Sequence, residues 1–352
     1  MGADPTTDGD GSGQPAGPSP RPRRSAVRRV LRWTGVALLA FILLTLGLAL
    51  VPVDVSALEE SHGEPATNRG EAVELFEAWA APEDEENVFE PCRSALYDTG
   101  ARTQVAVVLF HGLTNCPRQF REIAESLRTE GMNVVVLRAP KHGIADESGT
   151  GIGPVSEASS FSAEDMVRWA DASVDVAAGL GDSVRVMGIS MGGLVAAWTA
   201  QNREVERVVA VAPAVGLRVL PGPLGWAAPN LVSRLPDFSV SATGDLDHAY
   251  GGETISGAAE MMLLSRAILA ESDREPPQTV DVTVVTNAAD TEVANARTEV
   301  LVRQWREQGA HVIARAFPAR LGLPHDVVDV ANPSQQTSVT YPVLLGLLNA
   351  GG

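Results

Sequence analysis

The chain has 352 residues, 45% hydrophobic and 20% charged, which is enough apolar material for a large core and too much for a wholly disordered protein. Its formal charge of −17 repels phosphate and argues against a nucleic-acid partner. Two cysteines, Cys92 and Cys116, are too few for a zinc cage, and nothing in the sequence calls for a metal or cofactor. They are either two free thiols or, if the domain leaves the cytoplasm, one disulfide.

Residues 1–32 read as a disordered, basic tail: the first 24 are rich in Gly, Pro, Asp and Ser, and six arginines (Arg21, Arg23, Arg24, Arg28, Arg29, Arg32) cluster at its end. The uncharged run Val36 to Val53, with Trp33 at its edge, is long enough to cross a bilayer. A buried core helix, a cleaved signal peptide and an uncleaved signal anchor compete for it. The anchor over 33–53 is favoured, because a core helix needs no wholly apolar circumference and no small-x-small cleavage site follows. Arginines before it and Glu59, Glu60 and Glu64 after it predict a single-pass cell-membrane protein, N-terminus cytoplasmic and remainder outside. Secretion is the alternative.

Residues 54–93 read as a tether and a helix over 66–80, and the acidic run Glu83 to Glu86 as a solvated loop. From 94 to 352 strand-like runs alternate with amphipathic helices, which predicts an α/β fold with a mostly parallel sheet and helices on both faces. The expected strands are 104–110, 132–137, 183–189, 206–212, 280–286 and 311–316. The expected helices are roughly 117–130, 161–179, 191–202, 291–309 and 334–349. A hairpin turn at Asp98-Thr99-Gly100 would add an antiparallel strand in front. Residues 213–256, rich in Pro, Gly and Ser, read as a lid insertion. Its apolar residues, Trp226 and Phe238 among them, would line an acyl-binding surface.

The segment Gly188-Ile189-Ser190-Met191-Gly192 is a G-x-S-x-G motif between a strand and an alanine-rich helix. A nucleophile on so sharp a turn needs small residues two before and two after it. Ser190 needs a base and an orienting acid, expected in the order Ser, acid, His. His325 follows the last strand before the closing helix, where it would overlie the sheet. His311 begins a strand at the wrong end, and His248 falls in the lid. Asp290 follows the penultimate strand at its carboxyl end, and Asp326 is too close to His325 in sequence to bond back to its ring. The oxyanion donors would be the N–H groups of Met191 and of Leu113, in the loop His111-Gly112-Leu113-Thr114, where His111 shapes the loop.

The segments "LFHGLTNCPRQFREIAESL", "LRAPKHGIAD", "VRVMGISMGGLVAAW", "TNAADTEV" and "LGLPHDVV" resemble the α/β-hydrolase superfamily, and most of all bacterial carboxylesterases and monoacylglycerol-lipase-like serine hydrolases. The resemblance covers about two thirds of the chain, from His111 to the end. It implies the same triad and oxyanion donors and a small-molecule or lipid ester as substrate. The loop "PKHG" departs from a Gly-His-Gly pattern common in such esterases. Acyl transfer, thioester or amide cleavage would use the same triad. A catalytically silent, membrane-anchored binding protein is the reading from another class.

Overall fold

The computed structural model describes Met1 and residues 24–218, 223–235, 239–241 and 246–350. Residues Met1–Gly47 form one compact unit and Leu48–Gly352 a second.

Helix α1, Arg24–Leu50, begins earlier and ends earlier than the span 33–53. Residues 24–32, expected to be part of a disordered tail, are helical, because nothing between Arg24 and Leu50 breaks a helix, whereas Pro52 follows at once. The stretch Val27–Leu50, 24 residues of mean hydropathy 2.2, is long and apolar enough to cross a bilayer. Residues 2–23 lie outside the described residues.

In the second unit, α2 (Arg69–Ala80) starts at the cap residue Asn68, whose side chain accepts the Glu71 N–H. The acidic run beyond it is not wholly solvated. Glu83 is buried against Arg138 at 3.3 Å and takes the Ser94 hydroxyl at 2.6 Å, and Glu86 also reaches Arg138. A charge run in sequence does not reveal that an arginine 52 to 55 residues on will meet it.

The sheet has the order β1-β3-β2-β4-β5-β8-β9. Its members are β1 (Ala95–Tyr97), β2 (Thr103–Phe110), β3 (Asn133–Val136), β4 (Gly181–Ile189), β5 (Arg207–Val211), β8 (Asp281–Asn287) and β9 (Val312–Phe317). All neighbours are parallel except β1, which pairs antiparallel with β3. The turn at 98–100 therefore carries the chain past β3 to β2 and closes no hairpin. Helices α3 (Arg121–Thr129), α4 (Ala163–Leu180), α5 (Met191–Asn202) and α8 (Asn295–Glu307) make the crossovers, and α9 (Thr337–Asn349) closes the fold. Valine-rich strands suit a sheet covered on both faces. One face packs under Trp169, Trp198 and Trp305, and the other under Phe120, Leu127, Leu344 and Leu348.

Between β5 and β8 lie α6 (Pro223–Val232), a hairpin of β6 (Ser239–Ser241) and β7 (Gly252–Thr254), and α7 (Ile255–Ser272). The sequence reading has no counterpart of α7. Its residues ISGAAEMMLLSRAILAES are apolar nearly all round, so they carry no 3.6-residue stripe to read. The helix is largely buried instead of half exposed. Cys92 and Cys116 form a disulfide that ties the segment before β1 to the loop after β2.

Candidate active site

The chain runs from β2 to β3 on one side and then returns to β4 on the other, so β2 and β4 lie side by side where the strand order reverses. A crevice opens at the carboxyl ends of strands at such a point. Here a cavity of about 390 Å³ is lined by Gly112, Leu113, Ser190, Glu292 and His325, among others.

Ser190 occupies the turn from β4 to α5 with φ 58° and ψ −117°, a conformation costly for a residue with a side chain. The surroundings enforce it. Its N–H donates to the Val211 carbonyl at 3.0 Å, and its carbonyl accepts from Leu194 and Ala214. A Cβ on Gly188 would lie 2.1 Å from the Gly192 carbonyl oxygen, and one on Gly192 would lie 2.0 Å from that of Phe110. Neither position admits any other residue.

His325 and Asp290 come together from the loops after β9 and β8. Asp290 Oδ2 lies 2.7 Å from His325 Nδ1, and its Oδ1 accepts the N–H groups of Glu292 and Val293. One carboxylate thus folds its own loop and also holds the imidazole. With Nδ1 donating to Asp290, Nε2 is left as the acceptor of the neutral ring. Among the described residues, that buried Nε2 has no hydrogen-bond partner. Burial alone would lower the His325 pKa, but the Asp290 hydrogen bond and the Glu292 carboxylate, 3.7 Å from Nε2, outweigh it and raise the value above 6.5. Burial alone would raise Asp290. The His325 hydrogen bond and the backbone donors prevail and hold it below its usual range.

Leu113 lies in the loop after β2, and Met191 begins the helix after β4. Among the described residues, neither N–H has an acceptor. His111 is buried beneath them, its Nδ1 2.9 Å from the Gly112 carbonyl and its Nε2 accepting the Ala139 N–H at 3.1 Å. Burial and the neighbouring His142 keep it neutral.

Of the two residues expected in a lid, Trp226 belongs to α6 and Phe238 lies outside the described residues. The apolar lining visible in the cavity comes from Leu113, Leu217, Leu246, Ala258, Met261 and Val293. His311 precedes β9 at the far end of the sheet. His248 is buried between two carboxylates, with Nδ1 2.7 Å from Asp247 and Nε2 2.8 Å from Asp329. Asp326, set aside above as an acid for His325, gathers here with Gln119, Asp329 and Glu292, and the last three have no counterpart in the sequence reading because no motif or spacing links them. Among the described residues, no three His, Cys, Asp or Glu side chains are grouped to hold a metal.

A mostly parallel sheet with a serine on the turn after β4 and a His–Asp pair on the loops after β9 and β8 defines the α/β-hydrolase fold. The chain belongs to the Hydrolase_4 family (serine aminopeptidase, S33), whose model matches residues 101–313, a span that includes Ser190 and Asp290 and stops short of His325. Among solved structures it is similar to the monoglyceride lipase of Saccharomyces cerevisiae, with 14% identity and a TM-score of 0.51 over 72% of this chain and 90% of that one. It is also similar to the monoacylglycerol lipase of Paleococcus ferrophilus, with 18% identity and a TM-score of 0.47 over 72% of this chain and 97% of that one. No curated protein matches the sequence.

Proposed function

We propose that the protein is a serine hydrolase of carboxylic esters working through an acyl-enzyme. Ser190 attacks the ester carbonyl while His325 Nε2 takes its proton, and Asp290 holds the ring. The N–H groups of Leu113 and Met191 receive the oxyanion, and the imidazolium then protonates the departing alcohol. Water attacks the acyl group by the same route in reverse, and Ser190 is regenerated. The observation that carries this reading is the pairing of an anchored Nδ1 with an Nε2 that, among the described residues, has no hydrogen-bond partner, on a histidine that shares a cavity with Ser190. The apolar lining suits an acyl chain, each buried methylene contributing about 0.8 kcal/mol.

The N-terminal helix serves in this proposal as a single-pass anchor that leaves residues 54–352 outside the cytoplasm, with secretion after cleavage as the alternative. A disulfide between Cys92 and Cys116 fits an oxidising compartment.

A membrane-impermeant fluorophosphonate probe tests the proposal. It is expected to label intact cells at Ser190, and Ser190→Ala is expected to lose both labelling and hydrolysis of a small activated ester by several orders of magnitude while remaining folded. Labelling of the variant, or labelling only after lysis, would refute the nucleophile or the topology respectively.

Amide cleavage is the second reading. The family description favours it, and the Glu292 carboxylate on the cavity wall is suited to a substrate ammonium. Turnover of amino-acid anilides at rates matching ester turnover would select it.

A further inference from the structure

Gln119 lies in the turn Pro117–Phe120, is 3% exposed and lines the cavity. Its Oε1 accepts the Gly112 N–H at 2.9 Å, and its Nε2 donates to Asp326 Oδ2 at 2.8 Å. Both ends of one amide are therefore committed, and each end holds a different part of the site. Gly112 precedes Leu113, and a Cβ on Gly112 would stand 3.7 Å from the Ser190 Cβ. Asp326 follows His325, and its other oxygen, Oδ1, accepts the N–H groups of Val328 and Asp329, which shapes the loop carrying the histidine. The two loops are more than 200 residues apart in sequence, and among the described residues no backbone–backbone hydrogen bond joins them.

We infer that Gln119 is a positioning residue that sets the distance between the oxyanion loop and the loop of the general base. The inference rests on the serine-hydrolase reading. The acceptor at Gly112 fixes the peptide from which the Leu113 N–H projects, and the donor at Asp326 fixes the residue next to His325. Oxyanion donors and base act on the same tetrahedral centre, so a small error in their separation is felt in the transition state more than in ground-state binding. The side chain has no proton to give or take at neutral pH, which suits a spacer. The buried Asp326 faces Asp329 as well as Gln119, and burial raises its pKa against the three hydrogen bonds it receives. Removing one of them leaves a less stable carboxylate beside His325.

Two variants test this. Gln119→Leu removes both hydrogen bonds at similar volume. Gln119→Glu keeps the acceptor for Gly112 and sets a second carboxylate against Asp326, a pair that holds together only while it shares a proton. Gln119→Leu is expected to lose about 10- to 100-fold in kcat, less than removal of an oxyanion donor outright. KM should stay within about threefold for a short acetate ester and a long-chain ester alike. Gln119→Glu is expected to show its highest activity relative to wild type at the acidic end of the pH range, falling as the shared proton is lost. Its rate of fluorophosphonate labelling should fall in parallel. A loss confined to KM for one alcohol group would make Gln119 a substrate contact and overturn the inference, as would wild-type kcat in both variants. If the Leu variant does not fold, the near-isosteric Glu variant decides alone. A wild-type protein that takes no label fails the serine-hydrolase reading itself, whereas wild-type labelling rates in both variants fail only the role of Gln119.

Discussion

The floor of the cavity is held by backbone, whereas much of its roof is held by side chains. On the floor, Ser190 is fixed through its own N–H and carbonyl, and the glycines around it leave no room to move. Above it, the end of the insertion is pinned by His248 between Asp247 and Asp329. It is pinned also by Tyr250, whose hydroxyl accepts the Gly143 N–H at 2.8 Å and whose N–H donates to the Thr114 carbonyl at 2.7 Å. Asn230 accepts the Val53 N–H and the Arg266 guanidinium and donates to the Ala49 carbonyl. Backbone hydrogen bonds do not titrate in the working range, but a histidine between two carboxylates does. The floor should therefore keep its shape across pH while the roof loosens.

The largest effect is expected at the floor. Asp290→Asn leaves an oxygen for the Glu292 and Val293 N–H groups, so the loop stays folded, but it removes the charge that holds the His325 tautomer. By analogy with the same change in serine proteases, kcat should fall about 10³- to 10⁴-fold with little loss of thermal stability. A variant that loses stability and retains rate would show that Asp290 serves its loop alone.

At the roof the change is one of stability. For His248, burial is outweighed by the hydrogen bonds it donates to Asp329 and Asp247, and its pKa is raised above 6.5. For Asp329, burial is outweighed by the bond from His248, and its pKa is lowered below 3.8. The contribution of His248 is complete below 6.5 and is lost as pH rises through its folded value. That of Asp329 is complete above 3.8 and is lost as pH falls through its own. The clamp is thus strongest between 3.8 and 6.5, with Arg118 the nearby cation that steadies the two carboxylates above that window. His248→Gln should cost about 3 kcal/mol at pH 5.5, since Asp329 loses a buried partner. In wild type, proteolysis within residues 213–256 should speed up between pH 5.5 and 9. The variant should be cleaved quickly at both, and a pH-independent wild type would remove the distinction between floor and roof.

The smallest effect lies at the rim. Glu292 is largely exposed, so its pull on His325 is screened. Because the carboxylate stabilises the imidazolium, Glu292→Gln should move the acidic limb of the kcat/KM profile downward by a fraction of a pH unit. An upward shift would mean that Glu292 has another role.

Much of the fold was legible in the chain. Six runs of valine-rich sequence lie within a residue or two of β2, β3, β4, β5, β8 and β9, because parallel strands covered on both faces need such runs. The residues singled out for the site, Ser190, Asp290 and His325, gather at one cavity or its first supporting bond, since each ends or follows a strand and the carboxyl ends of parallel strands all point one way. The helix α7 was not legible, as burial all round erases the periodicity that betrays a surface helix.

Local pattern thus determined which segments are strands, which turn carries a strained serine and which loops open over the sheet, because each of these follows from neighbours within a few residues. Only the tertiary structure decided that Gln119 bridges Gly112 and Asp326, that His248 meets Asp329, that Glu83 finds Arg138 and that Cys92 pairs with Cys116. Those partners lie between 7 and 207 residues apart. A polar side chain carries no mark of its partner in sequence, since its hydrogen bond is specified by where the sheet brings two loops and not by anything beside it in the chain.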